Sequence, residues 1–338
     1  MRSMARKPQP SSMSRTPSTE PPPPTQPQPQ QIIDAVVRWY DQQARRLPWR
    51  EPGVSPWAIL VSEVMLAQTP VARVVPVYES WLDRWPTAPA LAAATVADAL
   101  RAWGRLGYPR RAVRLHQAAA AITTQHAGQV PRSPAALRAL PGIGEYTAAA
   151  VGSFAYGQRH LVLDTNVRRV LARVVLGQPG SSGSVSASER RDADRLAPTD
   201  PAQAVRWAAA SMELGALVCT QRSPRCAHCP VVSGCRWHLD GHPDLGARPR
   251  LAQRWAGSDR QVRGLLLEAL RREPGPVPGR ALTGLWDEPD QRDRALAGLV
   301  TDGLVATVPG SDLFWLPGEE PGTGRSPRGQ RSVHADHS

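Results

Sequence analysis

Lysine is nearly absent from this 338-residue chain, because Lys7 is the only one and arginine carries almost all of the positive charge. Chemistry that needs a lysine amine, such as Schiff-base formation, is therefore excluded beyond residue 7. No apolar run approaches the roughly 20 residues of a membrane-spanning helix. The Pro-, Ser- and Gln-rich segment 1–30 lacks the apolar centre of a secretory signal. We therefore expect a cytoplasmic protein with no membrane partner.

Cysteine is also scarce, and its four residues are all clustered in one short segment. The spacing is Cys219-x6-Cys226-x2-Cys229-x5-Cys235. In a reducing compartment such clustering favours metal binding over disulfides. Four thiolates can bind zinc or hold an iron–sulfur cluster. Zinc ribbons usually use two C-x2-C pairs, and this chain has one, so the spacing favours an iron–sulfur cluster.

The charge balance is strongly basic, with 41 Lys and Arg against 29 Asp and Glu and a formal net charge of +12. Such an excess indicates a polyanionic partner, either nucleic acid or an anionic membrane surface. A genome rich in G and C, in which arginine replaces lysine, would explain part of the same pattern. Charge alone therefore does not identify the partner.

The chain divides into five segments by composition and periodicity. Segment 1–30 cannot bury a core and is predicted to be disordered. Helical periodicity without alternating strands predicts an all-α body over 31–240. A linker is expected at 241–257, a small unit at 258–318 and a disordered polar tail at 319–338. The fold class is therefore mainly α.

The small unit has the pattern of a winged helix. A first helix surrounds Val262–Ala269, a second short helix covers Gly279–Trp286, and a third covers Asp290–Asp302. Two apolar runs then flank the turn Pro309–Asp312, which is typical of a β-hairpin. The predicted order is helix, helix, helix, hairpin.

A glycine-containing turn between two helices is the second motif. Ser133 and Pro134 are typical of a helix start. Gly142 and Gly144 are expected to provide backbone angles closed to other residues, and a new helix opens at Glu145. Backbone N–H groups at such a turn can bind phosphate, which is the helix–hairpin–helix pattern. The alternative is an ordinary turn between packed helices.

Over residues 31–240 the chain resembles the helix–hairpin–helix DNA glycosylase superfamily, which includes endonuclease III. The resemblance rests on LPGIGEYTA at 140–148, on LVLDTNVRRVLARV at 161–174 and on the cysteine loop at 219–235. It implies two helical lobes with a DNA cleft between them and a catalytic Asp164. It also implies a 4Fe–4S cluster held by Cys219, Cys226, Cys229 and Cys235.

Within that superfamily the chain resembles the MutY-type adenine glycosylases. Tyr146 stands where strand-cleaving members carry a Schiff-base lysine. SEVMLAQT at 62–69 resembles the MutY segment whose glutamate is the catalytic acid, which here is Glu63, and LPWR at 47–50 resembles the adenine pocket. The resemblance implies monofunctional excision of adenine opposite 8-oxoguanine or guanine. The expected partner is duplex DNA with such mispairs, bound by a monomer at the nucleoid.

The chemistry of adenine excision needs one acid and one anion. Adenine leaves readily once it is protonated, chiefly at N7, and a carboxylic acid kept neutral by burial can supply that proton. The resemblance assigns this role to Glu63. A carboxylate stabilises the oxocarbenium-like sugar that remains, and the resemblance assigns this role to Asp164. The alternatives are a solvated helix charge for Glu63 and a plain helix N-cap for Asp164.

The base must leave the helical stack to reach such a pocket. By resemblance Gln68 fills the gap that it leaves, and Thr69 lies near the opposite base. The resemblance also implies three further groups of binding residues. Arg45, Leu47 and Trp49 would line the adenine pocket, and Tyr146 and Asn166 would lie near Asp164. The third group is the pair of hairpin glycines, Gly142 and Gly144. For Leu47 and Trp49, core packing is the alternative.

Some positions depart from the family. Ala67 and Ala209 stand where the family usually has polar residues. Residues 258–318 do not resemble the Nudix-like domain of many MutY proteins, and are similar to the short tail of some actinobacterial members. Two other functions stay open: a thymine or uracil mismatch glycosylase of the same superfamily, and a non-enzymatic iron–sulfur DNA-binding regulator.

Overall fold

Fourteen α-helices form the fold within residues 28–181, 183–243 and 255–321, which are the residues that the computed structural model describes. The helices are α1 Pro29–Gln43, α2 Pro56–Leu66, α3 Val71–Arg84, α4 Ala88–Ala92, α5 Val96–Trp103, α6 Arg110–Gln125, α7 Pro134–Ala139, α8 Glu145–Tyr156, α9 Thr165–Leu176, α10 Ala187–Leu196, α11 Pro201–Leu217, α12 Arg236–Leu239, α13 Asp259–Arg272 and α14 Pro289–Thr301. The predicted mainly helical class is confirmed.

Helix starts follow the local capping chemistry of the sequence. The Ser55 side chain accepts a hydrogen bond from the backbone of Ala58 at the start of α2. Thr95 and Asp98 form a capping box at the start of α5. Helix α1 begins at Pro29, two residues before the predicted start of folded sequence, because Gln28 and the following proline begin the helix there.

The first lobe is built from α2 to α8 around one apolar core. Helix α2 packs against α3 and α8, and α6 packs against α4 and α5. Trp81 and Trp103 are fully buried at its centre with their rings edge to face, 5.8 Å apart between centroids. Burial of these large aromatic side chains supplies much of the lobe's hydrophobic stabilisation.

The second lobe combines the first helix with the later ones. Helix α11 packs against both α1 and α9, and α12 packs against α9. Val36, Val170, Leu214 and Trp237 belong to its core. The described chain therefore passes from α1 in the second lobe through α2 to α8 in the first lobe, and returns to the second lobe with α9. In this arrangement α2 and α8 of the first lobe stand beside α9 and α11 of the second.

The segment after Trp255 forms α13, α14 and a small antiparallel sheet of β1 Val277–Pro278 and β2 Leu313–Phe314. Three differences from the predicted elements appear. In place of the expected hairpin, a single bridge between Ala306 and Trp315 joins the two apolar runs that flank Pro309–Asp312, and β2 pairs with β1. The expected α-helix over Gly279–Trp286 consists of two 3-10 turns, and β1 is a strand that the sequence analysis did not identify. Proline at 278 and glycines at 279 and 284 account for the broken helix, because both residue types disfavour a helix interior.

The C-terminal unit packs on the first lobe. Leu266 of α13 joins the same apolar cluster as the first-lobe core. Arg101 of α5 donates two hydrogen bonds to the carboxylate of Glu319, at 2.6 and 2.8 Å, and the amide of Ala97 donates to the carbonyl of Pro317. Glu319, assigned from sequence to the polar tail, is thus held by α5.

Several predicted segments lie wholly or largely outside the described residues. They are 1–27 of the N-terminal segment, 244–254 of the linker and 322–338 of the tail. Across the described helices, none combines the length and apolar character needed to cross a membrane.

Candidate active site

A cleft of about 900 Å³ lies between the two lobes. Its walls come from α2 and α8 on one side and from the start of α9 and one face of α11 on the other. Nine of the residues predicted from sequence for catalysis or substrate binding line it together: Arg45, Leu47, Trp49, Glu63, Gln68, Thr69, Tyr146, Asp164 and Asn166. The two hairpin glycines do not line it.

Glu63 lies in α2, at the wall of this cleft, and only 6% of its surface is exposed. Its Oε2 accepts a hydrogen bond of 3.0 Å from the Tyr146 hydroxyl. Burial raises the pKa of Glu63 to about 7, and the negative charge of Asp164 adds to that rise, while the Tyr146 hydrogen bond and Arg50 oppose it. A large fraction of this carboxyl is therefore protonated at neutral pH, as a general acid must be.

Asp164 is the N-cap of α9 and also faces the cleft. Its Oδ1 accepts from the Val167 amide and its Oδ2 accepts from the Asn166 side chain, each at 2.7 Å. Burial raises the pKa of Asp164, and these hydrogen bonds oppose the rise. The Asp164 side chain therefore caps α9 and also faces the cleft, so the N-cap interpretation and the catalytic interpretation are compatible.

Tyr146 is hydrogen bonded to Glu63 and lies within the electrostatic influence of Asp164. It lies in the first turn of α8, and burial raises the pKa of its hydroxyl well above the usual range, with the charges of Glu63 and Asp164 adding to the effect. The phenol therefore stays protonated and acts as a donor toward Glu63. An amine at this position would be needed for a Schiff base, and tyrosine has none.

Glu213 is a site residue that the sequence analysis missed. It is fully buried in α11, and its carboxylate accepts two hydrogen bonds of 2.7 Å from Arg45 and one of 3.0 Å from Arg50. Burial alone would raise its pKa, but these hydrogen bonds and the charge of Arg50 outweigh burial and bring the pKa of Glu213 down to about 2. Its position one helical turn after Ala209, on the same face of α11, was the available signal.

Leu47 and Trp49 are both core residues and cleft residues, so the two alternatives predicted for them are compatible. Each is at least 93% buried, and the ring of Trp49 packs edge to face on Tyr78 at 5.2 Å. Both also line the cleft. They therefore form a rigid apolar wall, which is suited to the face of a flat aromatic base.

Gln68 and Thr69 follow the end of α2 at the rim of the cleft. Gln68 is exposed and has a φ of 60°, a backbone angle that is uncommon for residues other than glycine. Thr69 is buried, and its hydroxyl donates to the carbonyl of Leu106 and accepts from Arg111. The rim is thus held in one conformation by side-chain hydrogen bonds.

The turn between α7 and α8 lies between two helices, as the predicted helix–hairpin–helix requires, with one correction. Gly142 has a φ of 79°, and a Cβ there would meet Arg114 at 2.6 Å, so glycine is required. Gly144 has a φ of −88° and a ψ of −178°, and nothing lies within 4 Å of a Cβ there. The expectation that Gly144 also needs special backbone angles is wrong, because its extended conformation is open to other residues.

The four cysteines converge on one small cavity that is also lined by Arg173 and Trp237. Burial raises the pKa of the Cys229 thiol to about 12, and burial also raises the thiol pKa of Cys235. Four converging cysteines, of which Cys235 is buried and the other three are partly buried, would ionise together only around a strongly positive centre, which fits a metal or an iron–sulfur cluster. Arg173, whose Nη1 lies 3.5 Å from the Sγ of Cys219, is the nearby side-chain cation.

A second metal-binding combination is possible at the outer cysteine. The ligand atoms of Cys226, His238 and His242 lie within 4.8 Å of one another. His242 and His238 are hydrogen bonded at 2.9 Å. The region therefore offers both a four-thiol set and a Cys/His set of ligands.

Comparisons with known proteins agree with this geometry. The family model described as "HhH-GPD superfamily base excision DNA repair protein" matches residues 61–188. The chain is 52% identical to the adenine DNA glycosylase of Mycolicibacterium smegmatis, across 84% of this chain and 95% of that protein. It is 50% identical to the adenine DNA glycosylase of Mycobacterium tuberculosis, across 86% of this chain and 95% of that protein.

A solved complex of endonuclease III with DNA shares the fold. Its TM-score is 0.54 at 23% sequence identity, and the match covers 63% of this chain and 98% of that chain. At this level of identity the likeness concerns the fold alone.

Proposed function

The chain belongs to the adenine DNA glycosylase family, and we propose that it is a monofunctional enzyme that removes adenine mispaired with 8-oxoguanine or guanine in base excision repair. The observation that carries this proposal is the pair of carboxyls, Glu63 and Asp164, which line one cleft together with Tyr146. We place its action in the cytoplasm, at the nucleoid, and propose that it acts as a monomer.

Glu63 begins the reaction as the general acid. Its carboxyl gives a proton to N7 of the extruded adenine, and the bond between C1′ and N9 breaks with its electron pair moving to the base. The pKa of about 7 keeps a large share of Glu63 protonated near neutrality, so that no other acid is required. Tyr146 holds the carboxyl toward the cleft through its hydroxyl.

Asp164 completes the reaction on the sugar side. Its carboxylate stabilises the positive charge that develops at C1′ while the base departs. Water then adds to C1′, and its proton returns to the Glu63 carboxylate. The products are free adenine and an abasic site in an intact strand, since no lysine follows Lys7 to form a Schiff base.

Adenine recognition is assigned to the part of the cleft lined by Arg45, Leu47, Trp49, Arg50 and Glu213. Leu47 and Trp49 would contact the faces of the base, and Glu213 fixes Arg45 and Arg50 in place. The Arg50 side chain lines the cleft and is 22% exposed, so its guanidinium would donate to a nitrogen of the base. Arg50 and Glu213 therefore supply polar contacts that Ala67 and Ala209 do not.

Contacts to DNA are assigned to three other places. Gln68 would fill the gap left by the extruded adenine, with Thr69 near the opposite base and Asn166 beside Asp164. The hairpin with Gly142 and Gly144 would bind backbone phosphate through its N–H groups. Cys219, Cys226, Cys229 and Cys235 would hold a 4Fe–4S cluster, which when bound supplies the cross-link that shapes the loop from Cys219 to Cys235.

A duplex cleavage assay tests the proposal. Duplexes with adenine opposite 8-oxoguanine, guanine or thymine, and one with thymine opposite guanine, are incubated with the protein and then treated with alkali. We expect breaks only in the first two adenine strands, and only after alkali. Glu63→Gln and Asp164→Asn should abolish excision while retaining DNA binding. Release of thymine would favour the mismatch-thymine alternative, and full activity of Glu63→Gln would refute the mechanism.

The metal content is tested separately. Iron and acid-labile sulfide are measured in the purified protein and in Cys226→Ser. We expect about four irons and four sulfides per chain in the unaltered protein, and loss of the brown absorbance and of DNA affinity in the variant. Zinc without iron would overturn the cluster assignment and leave the excision chemistry untouched.

A further inference from the structure

Arg111, near the start of α6, closes the end of the helix that carries Glu63. Its guanidinium donates to three carbonyls at the end of α2, those of Val64 at 2.8 Å, Met65 at 3.0 Å and Ala67 at 2.5 Å. The last carbonyls of a helix have no partner within the helix itself. Arg111 therefore supplies a side-chain cap from a different helix.

The same guanidinium also holds two neighbouring segments. It donates to the hydroxyl of Thr69 at 2.8 Å and to the carbonyl of Gly107 at 3.1 Å. It lies over the ring of Tyr108, at 5.5 Å from the centroid. One planar cation thus connects the rim segment Ala67–Thr69 to the loop that contains Tyr108.

Backbone conformation shows why these two segments need such support. Gln68 has a φ of 60° and Tyr108 a φ of 47°, and both are exposed residues other than glycine. Such conformations are unfavourable and persist only where surrounding contacts impose them. Each of the two residues is flanked by a group that is hydrogen bonded to Arg111: Ala67 and Thr69 on either side of Gln68, and Gly107 before Tyr108.

Arg111 itself has neither an acidic partner nor a place in the active-site wall. Among the described residues its hydrogen bonds go to carbonyls and one hydroxyl and to no carboxylate, and it does not line the cleft. Burial lowers its pKa to about 10, so it is still a cation at neutral pH. Its Nη1 and Nη2 donate only to the rim and the loop, while its Nε is buried without a hydrogen-bond partner among the described residues. Any effect of Arg111 on catalysis therefore passes through the rim and the loop.

We propose that Arg111 is a positioning residue for base extrusion, which keeps Gln68 and the Tyr108 loop in the conformation that replaces the adenine in the stack. The proposal rests on the gap-filling role assigned to Gln68 under the proposed function. Lysine cannot take over, because one ammonium group cannot donate to five acceptors spread over two segments. Arg111→Lys and Arg111→Gln should therefore share one defect.

The test compares two substrates under single-turnover conditions. One duplex has adenine paired with 8-oxoguanine, and the other has the same adenine opposite an abasic residue, where extrusion needs less unpairing. We expect both variants to excise about tenfold to a hundredfold more slowly from the paired duplex, since several hydrogen bonds to a charged group are lost. Excision opposite the abasic residue should stay within about threefold of the unaltered protein.

Arg110→Gln is the matched control, because it removes the adjacent arginine, whose side chain is 57% exposed and which pairs with Asp302. If loss of charge alone weakened DNA binding, this variant would show the same defect as Arg111→Gln. Circular dichroism and thermal unfolding establish that each variant is folded before its rates are compared. Arg111→Lys, which keeps the charge and most of the bulk, is the variant to use if Arg111→Gln does not fold.

Three results have distinct meanings. Equal slowing on both duplexes would overturn the proposal, because Arg111 would then support the active site in general. Unchanged rates for Arg111→Lys on both duplexes would overturn it too. No excision by the unaltered protein on either duplex would refute the proposed function itself, and is thereby distinguished from failure of the Arg111 proposal.

Discussion

Two buried glutamates in one cleft have opposite protonation behaviour. Glu63 has a single hydrogen-bond donor, the Tyr146 hydroxyl, and its pKa rises to about 7. Glu213 is held by the cations of Arg45 and Arg50, and its pKa falls to about 2. Burial is common to both, so the neighbouring charge decides whether the carboxyl becomes a proton donor or a fixed anion.

The first prediction concerns the pH dependence of excision. Because Glu63 acts in its protonated form, the single-turnover rate should fall as pH rises above about 7, approaching about tenfold per pH unit. The raised pKa of Asp164 adds a fall on the acid side, where its carboxylate is lost. Rates with the duplex of adenine and 8-oxoguanine are measured across this range under enzyme excess. A profile that is flat well above pH 7 would contradict the assignment of Glu63.

The second prediction concerns stability at the same residue. The folded pKa of Glu63 is raised above its usual value of 4.5, so its contribution to stability is complete below about pH 4.5 and is lost as pH rises toward about 7. Glu63→Gln removes this loss and can still accept the Tyr146 hydrogen bond. The inactive variant should therefore be more stable than the unaltered protein above pH 7, by roughly 1–3 kcal/mol.

Thermal or urea unfolding at about pH 5 and pH 8 checks this sign. The difference between the two proteins should grow from the lower to the higher pH. Equal stability at both values would mean that Glu63 is solvated in the folded protein and that its pKa is ordinary. Glu79, on the outer face of α3, provides the exposed control as Glu79→Gln, for which no such growth is expected.

Among the elements, helix ends position the reacting groups. Asp164 precedes α9 as its N-cap, Tyr146 lies in the first turn of α8, and Glu63 lies one turn before the end of α2. A helix end is fixed by capping hydrogen bonds, and these place a side chain more firmly than a loop does. The three helices meet at the cleft, and their ends set its geometry.

The third prediction separates capping from catalysis in α9. Asparagine is as good an N-cap as aspartate, while alanine is not. Asp164→Asn should therefore keep nearly full stability and lose excision, and Asp164→Ala should lose excision and about 1 kcal/mol of stability as well. Urea unfolding measures the stability of the two variants, and single-turnover assays measure their excision rates. A large loss of stability in Asp164→Asn would mean that the charge, and not the cap, holds the helix start.

Much of this arrangement could be predicted from local sequence. Ser133 with Pro134 marks a helix start through short-range chemistry, and Glu63 lies at the edge of an apolar helix face. The pairing of Arg45 with Glu213 could not be predicted, because it joins residues 168 positions apart. The strand Val277–Pro278 was missed for the same reason, since it depends on pairing with Leu313–Phe314, which is distant in sequence.

At the scale of the whole molecule, the C-terminal unit extends the first lobe. Its helix α13 shares the core that includes Leu266, and Arg101 donates both to Glu319 and to two carbonyls, those of Arg271 and Glu273. The first turns of α14 carry Asp290 and Asp293 together with Arg292 and Arg294, so they present no excess of positive charge to a phosphate backbone. The contacts of this unit thus support the first lobe from behind α5 and α6.

The fourth prediction follows from that contact. Arg101→Ala removes four hydrogen bonds between α5 and the C-terminal unit, and Glu319→Gln weakens two of them. Because the partners are about one quarter exposed, we expect a loss of roughly 1–2 kcal/mol for Arg101→Ala and less for Glu319→Gln. Hydrogen exchange on the full chain should show faster exchange in α13 and α14. Excision should remain within about twofold, since no residue of the cleft is touched.

Arg84→Ala is the control, because it breaks an ion pair with Asp98 on the same lobe. Arg84 is half exposed in this pair. Such a pair contributes little, so α13 and α14 should exchange as in the unaltered protein. If Arg101→Ala left their exchange unchanged, the apolar contacts of α13 alone would hold the unit in place. If it instead slowed excision as strongly as Glu63→Gln, the C-terminal unit would have to act on the cleft, and its role would be catalytic support transmitted through α5 and α6.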